Sequence, residues 1–301
     1  MKTFAKVAEL GSFSQAAQAL QLPNASVSAR VSQLEDRLGV KLFARTTRHV
    51  RLTDDGAAYL LTAQRVLADI DEVEDHFKGS QKKPHGRIRV DVPASAGRHL
   101  IAPALPDFLR RYPDITVDLG CTDRPVDLIA EGVDCVIRGG NIFDESLVAR
   151  RLGEFEVITC AAPSYLARYG VPLSPLKLEG HWALNFFSAR TGKVMPFDFL
   201  IEGQPQTVDL QHQAGTNDAD TYLAMAQQGI GIAQLPLTRI VQDIVAAGGL
   251  VPILESWRPS SLPIYLIYPR NRHLSARVRA FANWAIELYA GVFNLETAVD
   301  R

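Results

Sequence analysis

Apolar positions at the start of the chain fall on one helical face. Phe4, Val7 and Ala8 share that face, and it stops at Gly11, which suits a left-handed helix end. Ser14 is expected to cap a second short helix, Gln15 to Leu20, whose Ala16 and Ala17 allow close packing against a neighbour. After a break at Gln21-Leu22-Pro23, a third helix is predicted from about Asn24 to Leu38. Its stripe of Val27, Val31, Leu34 and Leu38 is spaced 4, 3 and 4, and Gly39 ends it. Its opposite face carries Asn24, Ser26, Ser28, Arg30, Ser32 and Arg37. Lys41-Leu42-Phe43 and Val50-Arg51-Leu52 then flank the basic turn Arg45-Thr46-Thr47-Arg48, as in a β-hairpin. Thr53 is expected to cap a long helix reaching about Phe77. On it Leu60, Ala63, Leu67, Ile70, Glu74 and Phe77 recur as a heptad seam. One narrow seam on a charged helix needs a covering element, either a partner helix or another part of the same chain.

Periodicity breaks at Gly79-Ser80-Gln81-Lys82-Lys83-Pro84-His85-Gly86, a solvated hinge and expected domain boundary. Beyond it, strands alternate with helices. Strands are expected at Ile88–Val92, Ile115–Cys121, Asp134–Arg138, Trp182–Phe187, Gly229–Leu235 and Ile264–Tyr268, with a hairpin near Phe197–Leu210. Helices are expected around Leu100–Leu109, Pro125–Glu131, Asp218–Gln228 and Ser275–Tyr289. This alternation predicts an α/β domain with a mostly parallel sheet.

The chain has 301 residues, enough for about two domains, and 47% hydrophobic against 22% charged residues rules out wholesale disorder. No apolar run approaches a membrane span, so no membrane association is expected. The three cysteines, Cys121, Cys135 and Cys160, are odd in number and far apart; they fit a reducing cytoplasm rather than a disulfide framework or a zinc site. Cys121 and Cys135 are read either as small apolar strand residues or as a redox pair. The formal net charge is −1, but its distribution changes the picture. Residues 1–53 hold eight basic and three acidic side chains, whereas residues 54–80 hold two basic and seven acidic. A basic head on an acidic stalk is a footprint for phosphate at one end. There is no G-x-S-x-G, H-E-x-x-H or Walker motif, His99, His181, His212 and His273 lack metal spacing, and Gly229-Ile230-Gly231 is a fragment of no dinucleotide fingerprint. No catalytic residue, metal or cofactor is expected.

Two short helices, a tight turn and a helix with a polar face make a helix-turn-helix, and the basic hairpin beside it a wing. Gly11-Ser12-Phe13-Ser14-Gln15-Ala16-Ala17, Val27-Ser28, Leu34-Glu35-Asp36-Arg37-Leu38-Gly39-Val40-Lys41-Leu42-Phe43-Ala44-Arg45 and Leu52-Thr53-Asp54-Asp55-Gly56 together resemble the LysR-type transcriptional regulators. The resemblance implies an N-terminal winged helix-turn-helix (1–53), a dimerising linker helix (54–78), a hinge (79–86) and a C-terminal effector-binding domain (87–295). That domain is expected to be similar to periplasmic solute-binding proteins, with subdomain I at 87–161 plus 264–295 and subdomain II at 162–263. The family usually has Ser or Thr opening the recognition helix and Arg after its serine; here Pro23 and Ala29 stand there, with Asn24 a candidate cap.

The resemblance implies a cytoplasmic homodimer or homotetramer that binds double-stranded DNA and a small-molecule effector, with RNA polymerase as a further partner. Ser12, Ser14, Asn24, Ser26, Ser28, Arg30, Arg45 and Arg48 are the candidate DNA contacts. Ser14 is alternatively a plain cap, and Arg37 is read as an ion-pair partner of the adjoining Glu35 and Asp36. Ligands of open α/β sheets sit beyond strand C-termini, which nominates Ser95, Thr122, Arg138 and Gly139 in subdomain I and Thr216, Asn217 and Asp218 in subdomain II. A carboxylate on the effector would suit Ser95 and Arg138; a helix cap and a structural salt bridge are their plainer roles. A solute-binding protein with an unrelated helical start is opposed by the basic wing and the lack of a secretory signal. An enzyme with an accessory DNA head is opposed by the absence of catalytic motifs.

Overall fold

A computed structural model describes residues 1–45, 50–77, 83–140, 146–189, 191–270 and 274–299. Two compact units, Met1–Gly86 and Arg87–Arg301, divide the chain. Among the described residues no helix is long and apolar enough to cross a membrane.

In the first unit α1 (Lys2–Leu10) ends at Gly11, whose φ of 61° is the left-handed conformation that favours glycine. Helix α2 (Phe13–Leu20) is capped by Ser12, with extended backbone and an Oγ accepting the Gln15 N–H at 3.3 Å. This corrects the expected cap at Ser14, which lies exposed inside the first turn. The α2–α3 turn relies on Gln21 in the left-handed region (φ 53°), its N–H reaching the Ala17 and Gln18 carbonyls. Helix α3 (Asn24–Leu38) starts after Pro23 with no side-chain cap, so Asn24 is its first residue rather than its cap. Phe4, Val7, Ala16, Ala17, Val27, Val31, Leu34, Leu42 and Phe43 form the core of the unit. The Phe43 ring lies 5.1 Å from Phe4 and 5.6 Å from Phe13.

Strands β1 (Phe43–Arg45) and β2 (Val50–Leu52) pair antiparallel, with Phe43 opposite Leu52. Their position is set by Glu35. Its buried carboxylate accepts the N–H groups of Leu42 (2.9 Å) and Phe43 (3.2 Å) and an ammonium bond from Lys41 (3.0 Å). This corrects the expected Arg37–Glu35 pair: Glu35 is engaged with Lys41 instead. Burial pushes the Glu35 carboxyl up, but the Leu42 N–H, Lys41 and the Phe43 N–H together outweigh that and hold it below its ordinary value.

Helix α4 (Asp54–Phe77) is locked to the same place. Thr53 Oγ1 accepts the Gly56 N–H (2.9 Å) and donates to the Lys41 carbonyl (2.6 Å). Gly56 passes so close that a Cβ there would stand 2.0 Å from the Leu42 carbonyl oxygen. Tyr59 and Leu60 pack against the head core and Ala63 is buried, while Ile70 is exposed. The first turn of the seam is thus consumed within the unit. The Glu74 and Phe77 side chains, and the Gly79–Lys82 part of the expected hinge, lie outside the described residues.

The second unit has two lobes. The first is a five-stranded sheet, ordered β4 (Ile115–Cys121), β3 (Gly86–Val92), β5 (Cys135–Gly139), β14 (Leu262–Pro269) and β6 (Leu147–Phe155). It packs against α10 (Ala276–Val299) and a composite helix: α5 (Ala94–Ala96), a π turn (Gly97–Ile101) and α6 (Ala102–Arg111). Strands β3 and β5 are parallel, but β14 is antiparallel to both neighbours. This corrects the mostly parallel expectation: β6 leaves toward the second lobe and β14 returns from it, so these adjacent strands must run oppositely. The expected helix Pro125–Glu131 is a turn, Leu128–Gly132, in which Asp127 bonds the Ile129 and Ala130 N–H groups and so competes with a helix.

The second lobe contains β7 (Val157–Ala161) between β12 (Ala233–Pro236) and β13 (Val251–Pro252), with α7 (Pro163–Tyr169) following β7. Its parallel pair is β8 (Ala183–Phe186) and β11 (His212–Thr216), and its hairpin is β9 (Phe197–Ile201) with β10 (Gln204–Val208). Helices α8 (Ala219–Gln227) and α9 (Arg239–Ala246) complete it. Because β7 pairs with strands of this lobe, the first crossover falls at Glu156, not near residue 161 as expected.

Replacing Gly56 by Ala is expected to destabilise the first unit by about 2–4 kcal/mol, because the new methyl meets backbone; urea melts of the full chain check this. Glu35→Gln is expected to remove a pH-dependent contribution. A carboxyl held below its ordinary value stabilises fully at higher pH, and that stability is lost as pH falls through the folded value. The first unit should therefore weaken below about pH 4.5, with a shallower slope in Glu35→Gln. Identical slopes in pH-resolved melts would contradict it.

Candidate nucleic-acid interface and effector cleft

The apolar face of α3 is Val27, Val31 and Leu34, all buried. Successive residues on a helix are about 100° apart, so residues two apart point in nearly opposite directions. Ser28 and Arg30 accordingly sit on different flanks of the outward face. Asn24 and Ser28, four apart, share one flank; Ser26 and Arg30 share the other. Ala25 and Ala29 lie between them, exposed, and sequence reasoning passed over both. Small side chains at the centre let the helix backbone approach a duplex closely, and an alanine methyl can contact a thymine methyl. The signal was present in the four-residue spacing of the two alanines.

Asn24 and Arg30 are exposed, and Ser26 and Ser28 are half-buried. Ser12 is half-buried and spends its oxygen on the α2 cap, while Ser14 is exposed at the start of the same helix. Arg45 ends β1, and nothing is described of its side chain; Arg48 lies outside the described residues. Lys41, exposed beside the wing, is paired with Glu35.

In the second unit the ends of β3 and β4 face the start of α8. Strand β3 leads through Pro93 into α5, which has no side-chain cap, so Ser95 is not capping it. Among the described residues the half-buried Ser95 hydroxyl has no partner. Thr122 follows β4; its N–H donates to the Val92 carbonyl and its hydroxyl to Asp91, both at 3.0 Å. Arg138, on β5, forms an ion pair with the buried Asp91 and also donates to the Ile137 (2.8 Å) and Arg124 (3.2 Å) carbonyls. Arg138 is therefore half of an internal pair, one of the two roles the sequence left open. Gly139 sits opposite Ile264 of β14.

From the second lobe, Thr216 is buried and its hydroxyl accepts the Asp218 N–H at 3.2 Å. Asp218 caps α8 by accepting the Thr221 N–H at 2.7 Å, and the Thr221 bonds hold its carboxyl below the ordinary value. Asn217 is half-buried, and its side chain has no partner among the described residues. Ion-pair contacts cross between the lobes here: Arg98 of the π turn pairs with Asp220 of α8, and His99 Nε2 lies 3.3 Å from the same carboxylate. Sequence reasoning missed Arg98, Asp220 and Asp123. Burial raises the Asp123 carboxyl, the Ala94 N–H opposes this, and the charges of Asp218 and Asp220 raise it further. Asp91 and Asp220 are thus occupied with basic partners, while Asp123 and Asp218 are bonded to the Ala94 N–H and to Thr221. Ser95 and Asn217, one on each lobe, are left with hydrogen-bonding capacity to offer a ligand.

The cysteines make no pair. Cys121 and Cys135 lie on β4 and β5 with β3 between them, which separates their backbones by about 10 Å, too far for a disulfide. Cys135 and Cys160 are buried, and burial pushes the Cys160 thiol up to about 12. Cys121 is exposed, against its reading as a buried apolar residue. Among the described residues no group of three or more His, Cys, Asp or Glu is placed to hold a metal.

Comparisons with known proteins follow this division. Residues 1–57 match the family described as bacterial regulatory helix-turn-helix protein, lysR family, and residues 81–290 match the LysR substrate binding domain. An HTH-type transcriptional repressor of Pseudomonas aeruginosa is 43% identical, the alignment covering 96% of this chain and 91% of the relative. The HTH-type transcriptional activator AaeR of Escherichia coli is 34% identical over 98% of this chain and 94% of its own length. Among solved structures, CrgA, a LysR-type transcriptional regulator from Neisseria meningitidis, superposes with a TM-score of 0.59 at 32% identity, covering 95% of this chain and 97% of CrgA. Matches to both halves, and relatives aligned over nearly the whole length, lead to one conclusion: the chain belongs to the LysR family, a transcriptional regulator with a helix-turn-helix head and an effector-binding domain, and not an enzyme.

Proposed function

We propose that this regulator works in the cytoplasm as a homodimer or homotetramer. In this reading α3 of each protomer enters a major groove of double-stranded DNA, and the rest of the linker seam, from Leu67 onward, holds the partner helix. The observation that carries the reading is the outward face of α3, where small Ala25 and Ala29 are flanked by Asn24/Ser28 and Ser26/Arg30. Asn24, Ser26, Ser28 and Arg30 read base edges or phosphate; Ser12 and Ser14 approach phosphate from α2; Arg45 and Arg48 hold the backbone from the wing. A dimer presents two such helices to half-sites one or more helical turns apart. RNA polymerase is a further partner where binding activates transcription.

Small-molecule control operates through the cleft of the second unit. We infer that the effector docks on Ser95, Asn217 and the helix starts around them, and that it shifts the population of open and closed lobes. Thr122, Arg138, Gly139, Thr216 and Asp218 shape this seat. An organic acid fits the Ser95 hydroxyl and the Asn217 amide. A second reading, an effector with an amine or hydroxyl head, is favoured by the acidic surroundings of Asp123, Asp218 and Asp220.

On DNA from upstream of its own gene, Ala29→Glu is expected to abolish specific retardation, because bulk and negative charge meet the groove at the centre of the face. Ser28→Ala should weaken binding by about 1–2 kcal/mol. Arg30→Ala, if the contact is to phosphate, should lower the salt slope by about one. Unchanged affinity in Ala29→Glu would exclude this face. For the cleft, calorimetry with panels of small acids and small amines should give heats that Ser95→Ala and Asn217→Ala each reduce. Arg138→Ala should instead cost about 3–5 kcal/mol of stability, since it leaves Asp91 buried and unpaired. Equal heats in wild type and both cleft variants would refute the seat.

A further inference from the structure

A cavity in the second lobe is lined by none of the residues placed at the cleft. It has a volume of about 340 Å³, within the range of small-molecule sites. Ile158, Leu237, Val245, Ile253 and Leu254 supply apolar walls, and Glu156, Glu255 and Arg258 stand at its rim. Its location is informative. Glu156 is the residue between β6 and β7, where the chain crosses into the second lobe; Leu254 to Pro259 belong to the segment that leads back to β14. The cavity is therefore walled by both connections between the lobes.

These connections are joined to each other. Glu156 and Arg258 form an ion pair at 2.7 Å, the Leu237 N–H donates to the Glu156 carbonyl at 2.7 Å, and Ser261 Oγ donates to Glu154 at 2.6 Å. Leu254 is buried in the wall with φ 55°, a left-handed conformation costly for a leucine and kept only where the surroundings impose it. The rim charges do not cancel. Arg258 is taken by Glu156, while Glu255 is exposed and has no hydrogen-bond or ion-pair partner among the described residues.

We propose that this cavity is a second small-molecule site, separate from the cleft, which takes an amphipathic cation: an apolar body against Val245 and Ile253, and an ammonium toward Glu255. Because the occupant touches both connections, its binding is coupled to the opening of the lobes. Linkage then requires that a cleft ligand and an occupant of this cavity alter each other's affinity by the same factor. The proposal does not depend on which effector the cleft takes.

The test is calorimetry on the full chain with phenethylammonium, and with 3-phenylpropionate as a probe of similar body and opposite charge. Phenethylammonium is expected to bind one per chain, at least about five-fold more tightly than phenylpropionate. Glu255→Gln, an exposed change that leaves the fold intact, should weaken it about three- to five-fold. Val245→Trp, which fills the cavity, should abolish it while DNA retardation is retained. Binding that survives Val245→Trp, an equal or tighter phenylpropionate, no effect of Glu255→Gln, or no heat from either probe at tens of millimolar each overturns the proposal.

Discussion

The reading head depends on one buried carboxylate. Glu35 leaves the last turns of α3 and takes the two backbone N–H groups that begin the wing, at Leu42 and Phe43. Without it these donors would be buried and unpaired, which is costly in an apolar setting. The same carboxylate thus fixes the wing against the helix that faces outward. Thr53 and Gly56 complete the lock by tying α4 to the Lys41 and Leu42 carbonyls. Three elements, α3, the wing and α4, are held together by one cluster of short polar contacts over the Phe4–Phe13–Phe43 core.

The effector domain uses charge differently. Its basic groups at the cleft are spent on acidic ones: Arg138 on Asp91 within the first lobe, Arg98 and His99 on Asp220 between the lobes. The Arg138–Asp91 pair is buried, and such a pair adds little net stability over apolar contacts but is expensive to break, whereas Arg98 and His99 meet Asp220 from exposed positions. They suit a device with two discrete arrangements. The uncharged Ser95 and Asn217, one on each lobe, keep unspent hydrogen bonds among the described residues. A cavity also lies where both connections between the lobes meet.

Much of this was legible in the chain. Gly11 and Gly39 stop α1 and α3 where expected, because only a glycine takes the left-handed end at no cost. The Val27–Val31–Leu34–Leu38 stripe marks the extent of α3, although Leu38 at its end is exposed, and Thr53 marks its successor's start. Other local signals were ambiguous. Ser12 and Ser14 are equally good caps by type, and the choice fell to the one with extended backbone. Strand β6, Leu-Val-Ala-Arg-Arg-Leu-Gly-Glu-Phe, went unread because it is an edge strand whose exposed arginines hide the alternation. Segment 125–131 carries a helical pattern, but only the fold shows Asp127 bonding the N–H groups of its own neighbours, Ile129 and Ala130.

Local preference and periodicity therefore determined the elements of the head, the α/β character of the rest and the family, since each is encoded by residues close together along the chain. Tertiary structure alone decided which side chains remain available. Arg138 reads as a ligand's counter-ion until the fold brings Asp91, 47 residues earlier, against it. Glu35 reads as a partner of Arg37 until the fold brings Lys41 and the Leu42 and Phe43 N–H groups to it. The reason is the same in each case: a group's chemistry is set by what its neighbours in space leave unsatisfied, and those neighbours are distant in sequence.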